Sequence, residues 1–135
     1  MRSTIYGLAF VLVATTPGCQ QGPVVVPVEG QVTVDGNPPP AGGMIYFTTN
    51  DGRPGTATFG SDGRFVAKSL PGRDGLLPGT YALGFECWET EPEMGGPPPV
   101  SYIRPQYSAA ATSGFSLIVE PDEEYRNLVY DLQAR

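Results

Sequence analysis

Glycine and proline interrupt this chain so often that no long helix fits between them. Eighteen glycines and fifteen prolines fall among 135 residues, without the every-third-residue glycine of a collagen-like rod. A glycine costs a helix interior about 1 kcal/mol and a proline about 3 kcal/mol. Both serve the turns that join short extended segments. Hydrophobic residues make up 40% of the chain, which supplies a core and argues against disorder. The length suits one domain. An all-β fold follows.

The residues between the interruptions carry the matching period. Val28, Gly30, Val32 and Val34 alternate with Glu29, Gln31 and Thr33, as in a half-buried strand. Further strands are predicted over 44–49, with Ile45 and Phe47 inward, and over 55–59 and 64–67. Residues 80–86 form the clearest strand, with Tyr81, Leu83 and Phe85 on one face, and 115–119 form another. Segment 122–132 is open to two readings. Leu128, Tyr130 and Leu132 alternate as in a strand, while Tyr125, Leu128, Val129 and Leu132 also share a helix face. The strand is preferred because a seventh one completes a sandwich.

Four Asp-Gly pairs, at 35–36, 51–52, 62–63 and 74–75, are turn signals. Each Asp stands apart from the closely spaced oxygen ligands that a calcium loop needs. The predicted architecture is an antiparallel β-sandwich of about seven strands over residues 27–135.

The first residues read as an address. Arg2 precedes an apolar run from Ile5 to Ala14, followed by Thr15, Thr16, Pro17, Gly18 and Cys19. Ten helical residues rise about 15 Å, too short for a membrane span of ~20 apolar residues. Residues 1–18 therefore read as a cleavable export signal. Gly18-Cys19 after that run resembles the lipobox of bacterial lipoproteins, although Thr16 and Pro17 replace its usual Leu and small residue. In that family the cysteine receives diacylglycerol and becomes the new N-terminus. The resemblance implies lipidation of Cys19, a tether over 19–26, and attachment to the cell membrane or outer membrane, facing periplasm or exterior. The other reading is an ordinary secretory signal with Cys19 free or disulfide-bonded.

Charge and residue type narrow the function. The net charge is −6 with eight basic residues, and removal of Arg2 with the signal makes it −7. Nucleic-acid binding needs a basic surface to displace phosphate counterions, so no nucleic-acid partner is expected. Histidine is absent, which excludes Ser-His and Cys-His nucleophiles and the usual zinc sites. Lys68 and Ser69 are strand neighbours and point to opposite faces, so they form no dyad. Cys87 lies in the apolar stretch 83–88 and reads as a buried thiol. Nothing in the sequence asks for a cofactor or metal.

Several segments, taken in order, resemble one known family. They are 27–36 (Pro-Val-Glu-Gly-Gln-Val-Thr-Val-Asp-Gly), 62–65 (Asp-Gly-Arg-Phe) and 77–81 (Leu-Pro-Gly-Thr-Tyr), then 104–107 (Arg-Pro-Gln-Tyr), 112–115 (Thr-Ser-Gly-Phe) and 119–121 (Val-Glu-Pro). They resemble the carboxypeptidase regulatory-like domains of bacterial lipoproteins, a kind common in planctomycetes. The resemblance implies a transthyretin-like (prealbumin-like) sandwich without catalytic residues. The histidines on which the hydroxyisourate hydrolases among transthyretin relatives depend are missing here.

What departs from that pattern is the acidic, Pro/Gly-rich segment 89–99. Trp88 at its entrance and Tyr102 beyond it are candidate contacts for sugar rings or proline-rich peptides, or else caps of the core. Glu89, Glu91 and Glu93, with Glu86, are candidate ligand contacts or a solvated acidic loop. The expectation is a non-enzymatic binding or structural module at the cell envelope, meeting a protein, peptide or glycan. The alternative is binding of a small molecule or cation, or weak carboxylate-based hydrolysis, through segment 86–93.

Overall fold

The computed structural model describes residues 24–135. The export signal expected at 1–18, the lipidation site Cys19 and the tether up to residue 23 lie outside the described residues. Seven strands follow one another: β1 (Val28–Val34), β2 (Gly43–Thr48), β3 (Gly55–Phe59), β4 (Arg64–Val66), β5 (Gly79–Cys87), β6 (Ser116–Val119) and β7 (Tyr125–Leu132). A single 3-10 turn, Pro105–Ser108, lies between β5 and β6. The strands form a three-stranded sheet, β4-β1-β7, and a four-stranded sheet, β3-β2-β5-β6. The fold is an all-β sandwich.

Alternation decides which side chains meet between the sheets. Val28, Val32, Phe65, Tyr130 and Leu132 are buried from one sheet, and Ile45, Phe47, Ala57, Tyr81, Leu83 and Phe85 from the other. Aromatic rings join the two layers. Phe85 lies edge-on to Tyr130 at 5.7 Å and to Phe115 at 5.3 Å, while Tyr130 stacks on Phe65 at 6.0 Å. Edge and offset geometries set the positive rim of one ring against the negative face or flank of its neighbour. Cys87 is buried in the same core, and burial pushes its thiol up to about 11.

One pairing departs from the expected antiparallel arrangement. β7 runs parallel to β1. β6 runs back along β5 and ends with Val119 opposite Gly79, and the chain then crosses to the other sheet at that same end. Tyr125 arrives beside Val28, so β7 must run in the direction of β1. The register slips once, with Val28 opposite Tyr125 but Gly30 opposite Leu128. β7 holds one extra residue there, a bulge. A side chain on Gly30 would collide with the Leu128 carbonyl, since its Cβ would lie 2.1 Å from that oxygen.

Turns and bridges finish the sandwich. Asp35 (φ 50°) and Gly36 (φ 78°) form a two-residue turn, with Val34 and Asn37 exchanging hydrogen bonds of 2.8 and 3.0 Å. Positive φ at both positions is the primed turn for which Asp-Gly is suited. Asp131 on β7 holds this turn, accepting from Thr33 Oγ1 at 2.7 Å and from Gly36 N at 2.9 Å. Those bonds, led by that of Thr33, keep its carboxyl below the ordinary value of 3.8. At one side of the sandwich Thr56 pairs with Lys68. At the other, residues 101–104 bridge the layers, Ser101 pairing with Trp88 and Ile103 with Ala134.

Three outcomes follow. Phe85→Ala removes the ring shared by both layers and is expected to cost about 3–5 kcal/mol. Tyr130→Phe keeps its ring contacts and deletes a buried hydroxyl that has no protein partner, so it should gain about 1 kcal/mol. Urea denaturation measures both, and a loss on Tyr130→Phe contradicts this packing. The third outcome concerns acid. A depressed folded pKa contributes stability above the unfolded value, and that contribution is lost as pH falls through the folded value. The stability advantage of wild type over Asp131→Asn should hold at neutral pH and close below about pH 4. A gap independent of pH contradicts it.

Candidate functional site

The segments that carry the family resemblance serve the fold. The Tyr81 hydroxyl donates to the Leu77 carbonyl at 2.6 Å, tying β5 to the loop before it as tyrosine corners do in sandwiches. The Tyr107 hydroxyl accepts from Gln133 N at 3.2 Å. Ser113 Oγ donates to the Leu83 carbonyl and accepts from Phe115 N at 3.2 Å. The Tyr125 hydroxyl accepts from Glu120 N at 3.1 Å. Each of these polar side chains anchors backbone.

The acidic insert is a projecting arm. Glu89 N donates to the Val100 carbonyl at 2.9 Å, and Tyr102 N donates to the Cys87 carbonyl at 2.8 Å. These bonds continue an antiparallel pairing beyond β5 and force residues 90–99 outward. Gly96 N donates to the Glu93 carbonyl at 3.0 Å and turns the arm at its tip, where Met94 is fully exposed. The prolines at 97–99 lack N–H donors and limit the backbone pairing the arm can make.

The predicted contact residues separate into two groups. Trp88, half-buried at the end of β5, lines an open basin of about 720 Å³ with Glu89 and Glu91 on the arm. Pro40, from the loop before β2, and Ser61, beyond β3, form its other walls. Glu93 lies elsewhere, lining a cleft of about 330 Å³ inside the arm with Glu91 and the proline run. Tyr102 lines neither space; it is half-buried and packs against the core. Glu86 is also apart, on the outer face of β5 opposite Met44. There Tyr46 has its hydroxyl pKa raised, first by burial and then by Glu86.

Chemically, the basin offers an indole beside two carboxylates. That combination suits a sugar ring stacked on the indole, or a peptide carrying prolines or positive charge. Among the described residues, no three His, Cys, Asp or Glu side chains gather as a metal ion would need. Among the same residues, no helix is long and apolar enough to cross a membrane.

A further groove, of about 470 Å³, lies between β3 and β4. Arg64, Lys68 and Arg126 line it together with Glu29. Arg64 and Lys68 are four residues apart, whereas Glu29 and Arg126 are distant in the chain, and only the sheet order β4-β1-β7 brings them together. No family model, no curated protein and no solved structure matches this chain.

Proposed function

We propose that the mature domain is a non-enzymatic binding module of the carboxypeptidase regulatory-like kind, exported and held to a membrane by lipid on Cys19. It displays the basin and the acidic arm to a glycan or peptide partner at the cell envelope. One observation carries this reading: the first described residues, 24–26, and the basin sit at opposite ends of the sandwich. Val26 pairs with Leu76, its N–H donating to the Leu76 carbonyl at 2.8 Å, just before β5 begins at Gly79. Trp88 follows the far end of β5. Nine residues of strand at about 3.3 Å per step separate the two ends by roughly 26 Å. A domain anchored through its N-terminus would thus carry the basin on the side away from the bilayer. Several acyl chains on one cysteine, at about 0.8 kcal/mol per buried methylene, make a firm anchor.

The indole of Trp88 supplies the apolar contact and the two carboxylates supply direction. Stacking an aromatic ring on a ligand needs no catalytic group and gives a reversible complex. Two measurements test the reading. Intact mass of the membrane-fraction protein should show a diacylglyceryl Cys19 at the N-terminus, and Cys19→Ser should release the domain from membranes. On a glycan and peptide array, the processed domain should give signals that Trp88→Ala with Glu89→Gln and Glu91→Gln removes, while the melting temperature is kept. An unmodified N-terminus sinks the anchoring claim, and array signals untouched by the triple substitution sink the assignment of the basin.

A further inference from the structure

The groove between β3 and β4 has a backbone as well as a charge character. Thr56 and Lys68 exchange both of their main-chain hydrogen bonds, each 2.8 Å. In an antiparallel ladder the next pair of this kind falls two residues on, at Thr58 and Val66. That pair does not form. β3 continues only against β2, and β4 only against β1, because here the hairpin splits to feed two separate sheets. Groups at alternate positions of a strand point the same way. The N–H and C=O of Thr58 therefore face the gap as those of Thr56 face Lys68. Ala67 N donates toward β1, to the Val28 carbonyl at 2.8 Å, so the groups of Val66, one residue earlier, face the gap from the other side.

Around these open backbone groups stand three cations and one carboxylate, with Asp74 and Glu124 beside Lys68 and Arg126. Arg64 has no ion-pair partner among the described residues. Lys68 lies 3.4 Å from Asp74, with both side chains more than half exposed. Arg126 lies 3.6 Å from Glu29 and 3.1 Å from Glu124. Exposed ion pairs of this kind hold little free energy, so an incoming carboxylate can exchange with them. Arg64 and Lys68 are four residues apart on one extended segment and share a face.

We propose that this gap receives an extended peptide segment with acidic side chains at alternate positions. Its main chain bonds to Thr58 and Val66, and its carboxylates pair with Arg64, Lys68 and Arg126. Strand addition supplies affinity through the main chain and specificity through alternate side chains. A small inorganic anion matches the site less well, because the gap presents carbonyl oxygens, which repel an anion and fit the N–H groups of a strand. The groove adjoins the basin at Thr58 but includes none of Trp88, Glu89 and Glu91, so substitutions at Arg64 and at those three residues test the two assignments separately.

The test is fluorescence anisotropy with the processed protein and a labelled short peptide of alternating Glu and Thr at low salt. Saturable binding is expected, with affinity falling as salt rises. Arg64→Glu should weaken it about tenfold or more, since it sets like charges together, and should leave the melting temperature unchanged. The same peptide methylated on alternate backbone nitrogens, and its Lys-for-Glu counterpart, should both fail to bind. Absence of saturation at millimolar peptide overturns the proposal. So does equal affinity for the methylated peptide, for glutarate alone, or for Arg64→Glu.

Discussion

The contact of Phe85 with Tyr130 across the interior, 5.7 Å between centroids, is the point at which the two sheets become one body. Each sheet alone would leave an apolar face in water, and a few strands without a covering layer are marginal. Tyr130 also reaches Phe65 within its own sheet and Phe115 beside the other. The four rings thus span β4, β7, β5 and the entrance to β6. The side-by-side placement of β1 and β7 follows from the same requirement, since Tyr130 must arrive inward-facing opposite Val32. A bulge before Leu128 sets that phase.

A small sandwich must also manage its strand edges, which otherwise invite pairing with other chains. Here one side is sealed by residues 101–104, which pair with the ends of both β5 and β7. Among the described residues, the other side is bridged at Thr56 and Lys68, and beyond that bridge the hairpin parts. The domain has in this way a closed flank and an opened one. The arm that presents Glu89 and Glu91 is rooted in the closed flank. The cations at Arg64, Lys68 and Arg126 gather at the open one.

Much of the architecture was legible because period-two alternation is a local property. The inward faces of β1, β2 and β5 are those read from Val28 to Val34, from Ile45 and Phe47, and from Tyr81 to Phe85. The direction of β7 was not legible, since parallel or antiparallel pairing depends on where a connection crosses rather than on the strand's own residues. The helix-like step from Tyr125 to Leu128 is the mark of the bulge, after which Leu128, Tyr130 and Leu132 keep the strand period and Val129, the other member of the helix face, is exposed. The basin was half legible. Trp88, Glu89 and Glu91 meet there because they are neighbours, whereas Tyr102, half-buried on the returning segment, packs against the core. The groove was not legible at all, because its charges come from separate strands and its backbone groups exist only where a ladder fails to continue.

Amide hydrogen exchange of the protein, resolved by residue, tests the two-layer body with its opened flank most directly. The account predicts slow exchange for the amides of Ala57 and Phe65, which point into their own sheets, and for the interior of β5. It predicts fast exchange at Thr58 and Val66, immediately beside them. Equal protection of all four would contradict the split hairpin, and an unprotected β5 would contradict the sandwich itself.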